Sequence, residues 1–200
     1  MYPTANPKVI ERTRQILAVD PLFLDTETTG FAPDDVVIEI GVVDKSGQPL
    51  YQSLVKSPIP VPQSAINIHH ISEDMLTDAP SWKEAWEELY PVLEGRFIGA
   101  YNADFDLRMI KQTHKRYWLD WPMDDNSFFC VMKLYAAFYG APSFRKNNIN
   151  KNDYKSSPYR FHKLEAAGAA CGIPLPNAHR AVDDAKLTAA LFQYIANYAP

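Results

Sequence analysis

The 200 residues include only two cysteines, Cys130 and Cys171. Two are too few for a disulfide framework and lack metal-ligand spacing, so both read as reduced core residues of a cytoplasmic protein. No apolar run approaches the roughly 18 residues that cross a bilayer. The first twenty residues carry Glu11, Arg12 and Arg14 among the apolar positions, which does not suit a signal peptide. A membrane is therefore not an expected partner. Internal repeats and interdomain linkers are lacking too, and residues 1–200 read as one domain. A surplus of positive charge is also missing: 20 basic against 24 acidic side chains give a net charge of −4. That balance argues against coating nucleic acid by bulk charge, though not against nucleic acid as a substrate held through metal ions. What is present, 46% hydrophobic and 22% charged residues, is the composition of a globular chain with room for one sizeable core.

Hydrophobic periodicity orders the chain. Asn6-Pro7 looks like an N-cap with proline at the first helical position, and Val9, Ile10, Thr13, Ile16 and Leu17 form one face of an N-terminal helical extension over 1–20. Residues 22–26 (LFLDT), 36–43 (VVIEIGVV) and 49–56 (PLYQSLVK) read as strands, the last two joined by the turn chemistry of DKSG. The three prolines of 57–63 suit an extended connection. A helix begins at Ser81, where Ser81 and Glu84 form a capping-box pattern, with Trp82, Ala85, Trp86, Leu89 and Leu93 on its buried face. RFIGAY at 96–101 is a further strand. Helices follow near 105–117, 128–139, 162–171 (closed by Gly172) and 183–198. Strands first, then strands alternating with helices, predict an α/β domain with a mixed sheet.

Three places hold acids that a purely structural role explains poorly. In LFLDTETTG, Asp25 and Glu27 lie two apart at the end of a buried strand, hence on one face of the sheet. In GAYNADFDLRM, Asp104 and Asp106 follow a strand and open a helix, where Asn102 could serve as the N-cap and leave a carboxylate over. In NAHRAVDDAKL, His179 precedes Asp184 by five residues, and Asp183 could cap the last helix. Acids converging from strand and helix ends repel one another unless cations neutralise them, and hard oxygen donors suit magnesium or manganese. Two such ions roughly 3.5–4 Å apart serve phosphoryl chemistry, with a histidine to accept the proton of the attacking water.

The motifs DTETTG at 25–30, NADFD at 102–106 and HRAVDDA at 179–185 together resemble those of the DEDDh, or DnaQ-like, 3′–5′ exonucleases, from about Leu22 to Tyr198. The resemblance implies a ribonuclease-H-like fold: a mixed five-stranded sheet, three antiparallel strands plus parallel ones, flanked by helices. It implies that Asp25, Glu27, Asp106 and Asp184 hold two magnesium or manganese ions and that His179 is the general base. Asp106 matches because it follows the Phe of N-x-x-F-D; Asp104 is then an extra acid. The sister group has tyrosine four residues before the last acid, where this chain has Arg180. Thr28, Thr29 and Gly30 would let backbone amides approach the terminal nucleotide, on which Phe31 could stack. INIHHIS at 66–72 resembles the family's Ile-His-x-Ile stretch; for His69, substrate contact and loop packing both stand open, as do site-facing and structural roles for Glu39.

Two basic stretches stand against the acidic whole. Arg108, Lys111, Lys115 and Arg116 recur on one helix, with His114 between them. The basic and aromatic insertion loop of 140–161 carries Arg145, Lys146, Lys151 and Lys155, interleaved with aromatic residues that could stack on bases. Either stretch is a grip for a strand or a solvated face. The expected partner is the 3′ end of single-stranded nucleic acid, and a polymerase is a candidate companion. The absence of a tether-like tail after the last helix favours a stand-alone nuclease. Sugar preference and oligomeric state stay open at this level. RNA trimming or degradation of very short oligoribonucleotides is the alternative activity, and a non-catalytic binding domain the alternative class.

Overall fold

A computed structural model describes residues 4–143, 157–174 and 179–199 of the chain. The Asn6 side chain accepts a hydrogen bond from the Lys8 amide at 3.1 Å and Pro7 takes the first helical position, beginning helix α1, Pro7–Ala18. Its buried residues Ile10, Thr13 and Ile16 lie on the predicted face. This N-terminal helix is tied to a distant part of the chain, where Arg14 Nε donates to the Ala196 carbonyl at 2.7 Å.

Strands β1 (Leu22–Thr28), β2 (Val37–Val43) and β3 (Pro49–Leu54) form the antiparallel part of the sheet. The turn between β2 and β3 closes on Asp44, whose carboxylate accepts from the Ser46 and Gln48 amides. Strands β4 (Ile98–Ala100) and β5 (Phe128–Cys130) join in parallel, giving the order β3-β2-β1-β4-β5. This is the mixed five-stranded sheet that the family resemblance implies. Helices α2 (Gln63–His69), α3 (Glu73–Leu76), α4 (Trp82–Leu93), α5 (Ala103–Arg116), α6 (Val131–Tyr139), α7 (Leu164–Ala170) and α8 (Ala181–Asn197) flank it.

Several expectations differ in detail. The stretch around His69 is helical: α2 starts after Pro62 and stops where His70 turns left-handed at φ 60°. The helix expected near 128–139 loses its first three residues to β5, because Phe128–Cys130 pair with Ile98–Ala100. Cys130 and Cys171 are not joined in a disulfide and are half-buried instead of fully in the core. The Asn102 side chain does not cap α5 and is exposed. His114 does not join the basic face of α5. It is buried against Trp82, Trp86 and Trp121, with the Trp82 indole N–H donating to Nδ1 at 3.2 Å.

The alternation of β1 decides where the acids go. Leu22 and Leu24 pack with Trp82, Leu89 and Met109 on the α4/α5 face, while Phe23 packs with Phe192 and Val43 on the α8 face. Continued along the strand, that period puts Asp25 and Glu27 toward α8 and Thr26 toward α5. Both layers must be dry for this to hold, and α4 seals one of them. Its capping box is complete: Ser81 Oγ accepts from the Glu84 amide, and Glu84 accepts from the Ser81 amide at 2.7 Å. Ser81→Ala is expected to cost about 1 kcal/mol in urea unfolding with catalytic rate unchanged; a loss of rate without a loss of stability would contradict a purely capping role.

Candidate active site

The site lies at the carboxyl end of β1. Carboxylate oxygens of Asp25, Glu27 and Asp184 all lie within 4.8 Å of one another. Asp25 and Glu27 come from alternate positions of β1, and Asp184 from the first turn of α8, where the helix dipole favours an acid. Asp106, buried in the first turn of α5, is not one of that close group, but it lies near enough for its charge to act on Asp25. Thr26, between the two β1 acids but pointing toward α5, donates from its hydroxyl to Asp106 Oδ1 at 2.9 Å. The strand register slips between Glu27 and Thr28, so a bulge ends regular pairing at the rim of the site.

These carboxyls are held far from their ordinary titration range. Burial, then the charges of Asp106, Glu27, Asp184 and Glu39, push Asp25 well upward. Burial and the neighbouring acids raise Glu27 to about 8, against a small downward pull from Arg180. Asp106 is raised to about 7 by burial, opposed by the Thr26 hydroxyl. Asp184 is raised to about 6 by burial, opposed by His179. Asp184 Oδ1 is buried with no hydrogen-bond partner among the described residues. An all-oxygen donor set, an unpartnered buried oxygen and mutual repulsion fit divalent hard cations.

His179 sits at the mouth of α8 in a left-handed conformation, φ 66°. Its imidazole is 41% exposed and Nε2 stands 3.7 Å from Glu165 Oε1. Glu165, in the first turn of α7, has no sequence signal connecting it to the site; only the fold brings it there. Asp104 is not in the cluster: it is exposed and paired with Lys133 at 2.7 Å. Asp183 pairs with Lys186 at 3.0 Å instead of capping α8. Glu39 is fully buried and paired with Arg180, while its charge still acts on Asp25 and Glu27.

Beside the acids is a cavity of 430 Å³ lined by Glu27, Thr28, Thr29, Gly30, Phe31, Ile68, His69 and Phe105. The loop after β1 forms its rim. Thr29 Oγ1 donates to Asp35 Oδ1 at 2.8 Å, and Asp35 Oδ2 accepts from the Ala32 amide at 2.6 Å. A Cβ at Gly30 would stand 2.5 Å from Asp35 Oδ2, so a side chain there would have to displace the carboxylate that closes the loop. The Thr29 amide donates to the Val36 carbonyl at 2.9 Å, so it is not available to a ligand as expected. Phe31 is 74% exposed, 5.6 Å ring to ring from Phe105, and the Arg108 guanidinium lies 5.3 Å over the Phe105 ring. His69 is buried: Nδ1 accepts from the Ile71 amide at 3.0 Å, while Nε2 has no partner among the described residues. Arg145, Lys146, Lys151 and Lys155 lie outside the described residues. The flanks of that segment pair through Ser143 N to Pro158 O and Arg160 N to Ala141 O, each 2.9 Å, and the chain then enters α7 and Glu165.

Residues 22–192 match the exonuclease family RNase_T. The chain belongs to this family. It is accordingly an exonuclease, a phosphodiester hydrolase of the DnaQ-like, ribonuclease-H-like group. Among similar proteins, the uncharacterized exonuclease CP81 of Escherichia phage 186 is 33% identical over 96% of this chain and 95% of its own length. The 3′–5′ exonuclease DinG of a Staphylococcus aureus strain is 30% identical over 84% of this chain, which spans only 17% of that relative. A solved structure of Exonuclease X in complex with 5′-overhanging duplex DNA superposes with TM-score 0.61 at 25% identity, covering 88% of this chain and 90% of that one.

The raised carboxyls set a testable pH dependence. Each folded-state value lies above its unfolded one, so without metal these groups weaken the fold progressively as pH rises from about 4 to about 8. Asp25→Asn is expected to raise the Tm of the metal-free protein by a few degrees at pH 8, the shift that about 1 kcal/mol produces at this size, and by less at pH 5. Saturating manganese should raise the parental Tm more at pH 8 than at pH 5. Equal shifts at both pH values in differential scanning calorimetry would contradict this account.

Proposed function

We propose that this exonuclease works from the 3′ end, on single-stranded or frayed nucleic acid with DNA favoured, and releases nucleoside 5′-monophosphates. In this reading Asp25, Glu27, Asp106 and Asp184 hold two divalent ions, magnesium or manganese. The observation that carries it is the meeting of Asp25, Glu27 and Asp184 within 4.8 Å beside a cavity of nucleotide size. When bound, such ions activate the attacking water and stabilise the departing 3′ oxygen.

The chain's own residues supply the rest. His179 accepts the proton of the attacking water, and its exposure lets it pass that proton to solvent. Glu165 faces the same imidazole, with Oε1 3.7 Å from Nε2, and can orient the ring. The terminal nucleotide enters the cavity, where Phe31 and Phe105 offer aromatic surface to its base. Arg108, over the Phe105 ring, meets the adjoining phosphate. The 3′ polarity is supported by the DinG relative, and DNA by the duplex held in the Exonuclease X structure. No described helix is long and apolar enough to cross a membrane.

Asp25→Ala or Asp106→Ala should abolish hydrolysis while leaving the circular dichroism spectrum intact, and His179→Ala should lower kcat by about 10²–10⁴-fold. On single-stranded DNA with magnesium, a 3′ label should appear at once as mononucleotide, and a 5′ label should give a shortening ladder. Activity retained by Asp25→Ala, or a 5′ label released first, would overturn the assignment. Replacing Arg145, Lys146, Lys151 and Lys155 together by Ala should weaken strand binding and flatten its salt dependence; binding unchanged across a salt series would remove that segment from the substrate path.

A further inference from the structure

Among the charged groups near the site, Glu39 has no part in the chemistry above. It sits in the centre of β2, opposite Glu27 in the strand register, with no exposed surface. A buried carboxylate beside three others is expected to be a further cation ligand or to be matched elsewhere. Glu39 is matched elsewhere. Arg180 donates to it from Nη2 at 2.6 Å and from Nε at 3.1 Å, and the Ala181 amide donates to its second oxygen at 3.0 Å. Two residues along the same face, Gly41 meets the start of α8 so closely that a Cβ would stand 2.4 Å from Val182 N.

The strand therefore offers a charged socket and a flat seat, and the first turn of α8 fills both. The residue before Arg180 is His179, held left-handed at φ 66°, a conformation that costs a non-glycine residue energy and persists only when its surroundings enforce it. One helical turn after Arg180 comes Asp184. We propose that Glu39 and Arg180 are a positioning brace: their ion pair, with the Gly41 seat, aims His179 and Asp184 at the acids of β1. Arg180 also neutralises Glu39, which keeps a fourth uncompensated charge away from Glu27. Forked, charge-assisted hydrogen bonds fix angle as well as distance, which a single apolar contact would not do. The proposal rests on the reading of His179 as base and Asp184 as metal ligand.

The test compares Glu39→Gln, Arg180→Gln, Arg180→Lys and the double variant Glu39→Gln/Arg180→Gln with the parent, all as full chains. Glu39→Gln should stay folded, lose about a hundredfold in kcat with KM for a single-stranded oligonucleotide within about threefold, and bind manganese about tenfold more weakly by calorimetry. Arg180→Gln strands a buried carboxylate and should lower Tm; the double variant should recover Tm but not kcat or manganese affinity. Arg180→Lys should recover part of the kcat that Arg180→Gln loses. Parental kcat and manganese affinity in Glu39→Gln, or recovery of kcat along with Tm in the double variant, would overturn the brace. His179→Ala is measured alongside. Parental kcat in that variant would overturn the base assignment, and the brace is then decided by manganese affinity alone.

Discussion

Carboxylates from three separated stretches of chain meet at one end of β1, and the architecture is arranged around holding them there. Two unit charges about 4 Å apart repel by roughly 4 kcal/mol in surroundings of intermediate dielectric, a large part of the ~5–15 kcal/mol that stabilises a domain. Asp25, Glu27 and Asp184 share a space only 4.8 Å across, with Asp106 next to them. A loop could not keep them together, because it would relax to separate them. Each acid is instead fixed to a rigid element: the central strand, the first turn of α5 and the first turn of α8.

The rigidity comes from two cores that differ in chemistry as well as in place. On one face, Trp82, Leu89, Met109 and their neighbours anchor α4 and α5, and Thr26 reaches through to hold Asp106. On the other, Phe23, Val43, Phe192 and Leu191 bury α8 along the sheet, and α1 packs over that helix. Strand β1 belongs to both cores, so its alternation of side chains is also the alternation between acids and their supports. Helix α8 must begin in a definite place for Asp184 to arrive. Burial alone would let it slide, whereas Glu39, Arg180 and Gly41 fix its first turn.

Much of this was legible in the residues. The period of two in LFLDTET put Asp25 and Glu27 on one face, and the spacing from His179 to Asp184 set them one helix entry apart. The capping box at Ser81 and the proline at the start of α1 marked helix starts without any tertiary information. What stayed hidden depended on partners distant in sequence. Phe128–Cys130 form a strand only because Ile98–Ala100 lie alongside, and an aromatic run reads equally well as helix. His114 looked like part of a basic face until Trp82, Trp86 and Trp121 closed over it. The Glu39–Arg180 pair spans 141 residues, and Glu165 meets His179 only through the placement of α7. No local pattern announces such contacts.

The central claim is that these acids coexist because cations are meant to lie between them. Its most direct test is the anomalous scattering of manganese in crystals of the protein soaked with the ion and a nucleoside monophosphate. The account predicts two peaks roughly 3.5–4 Å apart among Asp25, Glu27, Asp106 and Asp184, with the nucleotide base in the cavity beside Phe31 and Phe105. No peak at these carboxylates, or manganese bound only at exposed acids such as Asp104, would contradict it.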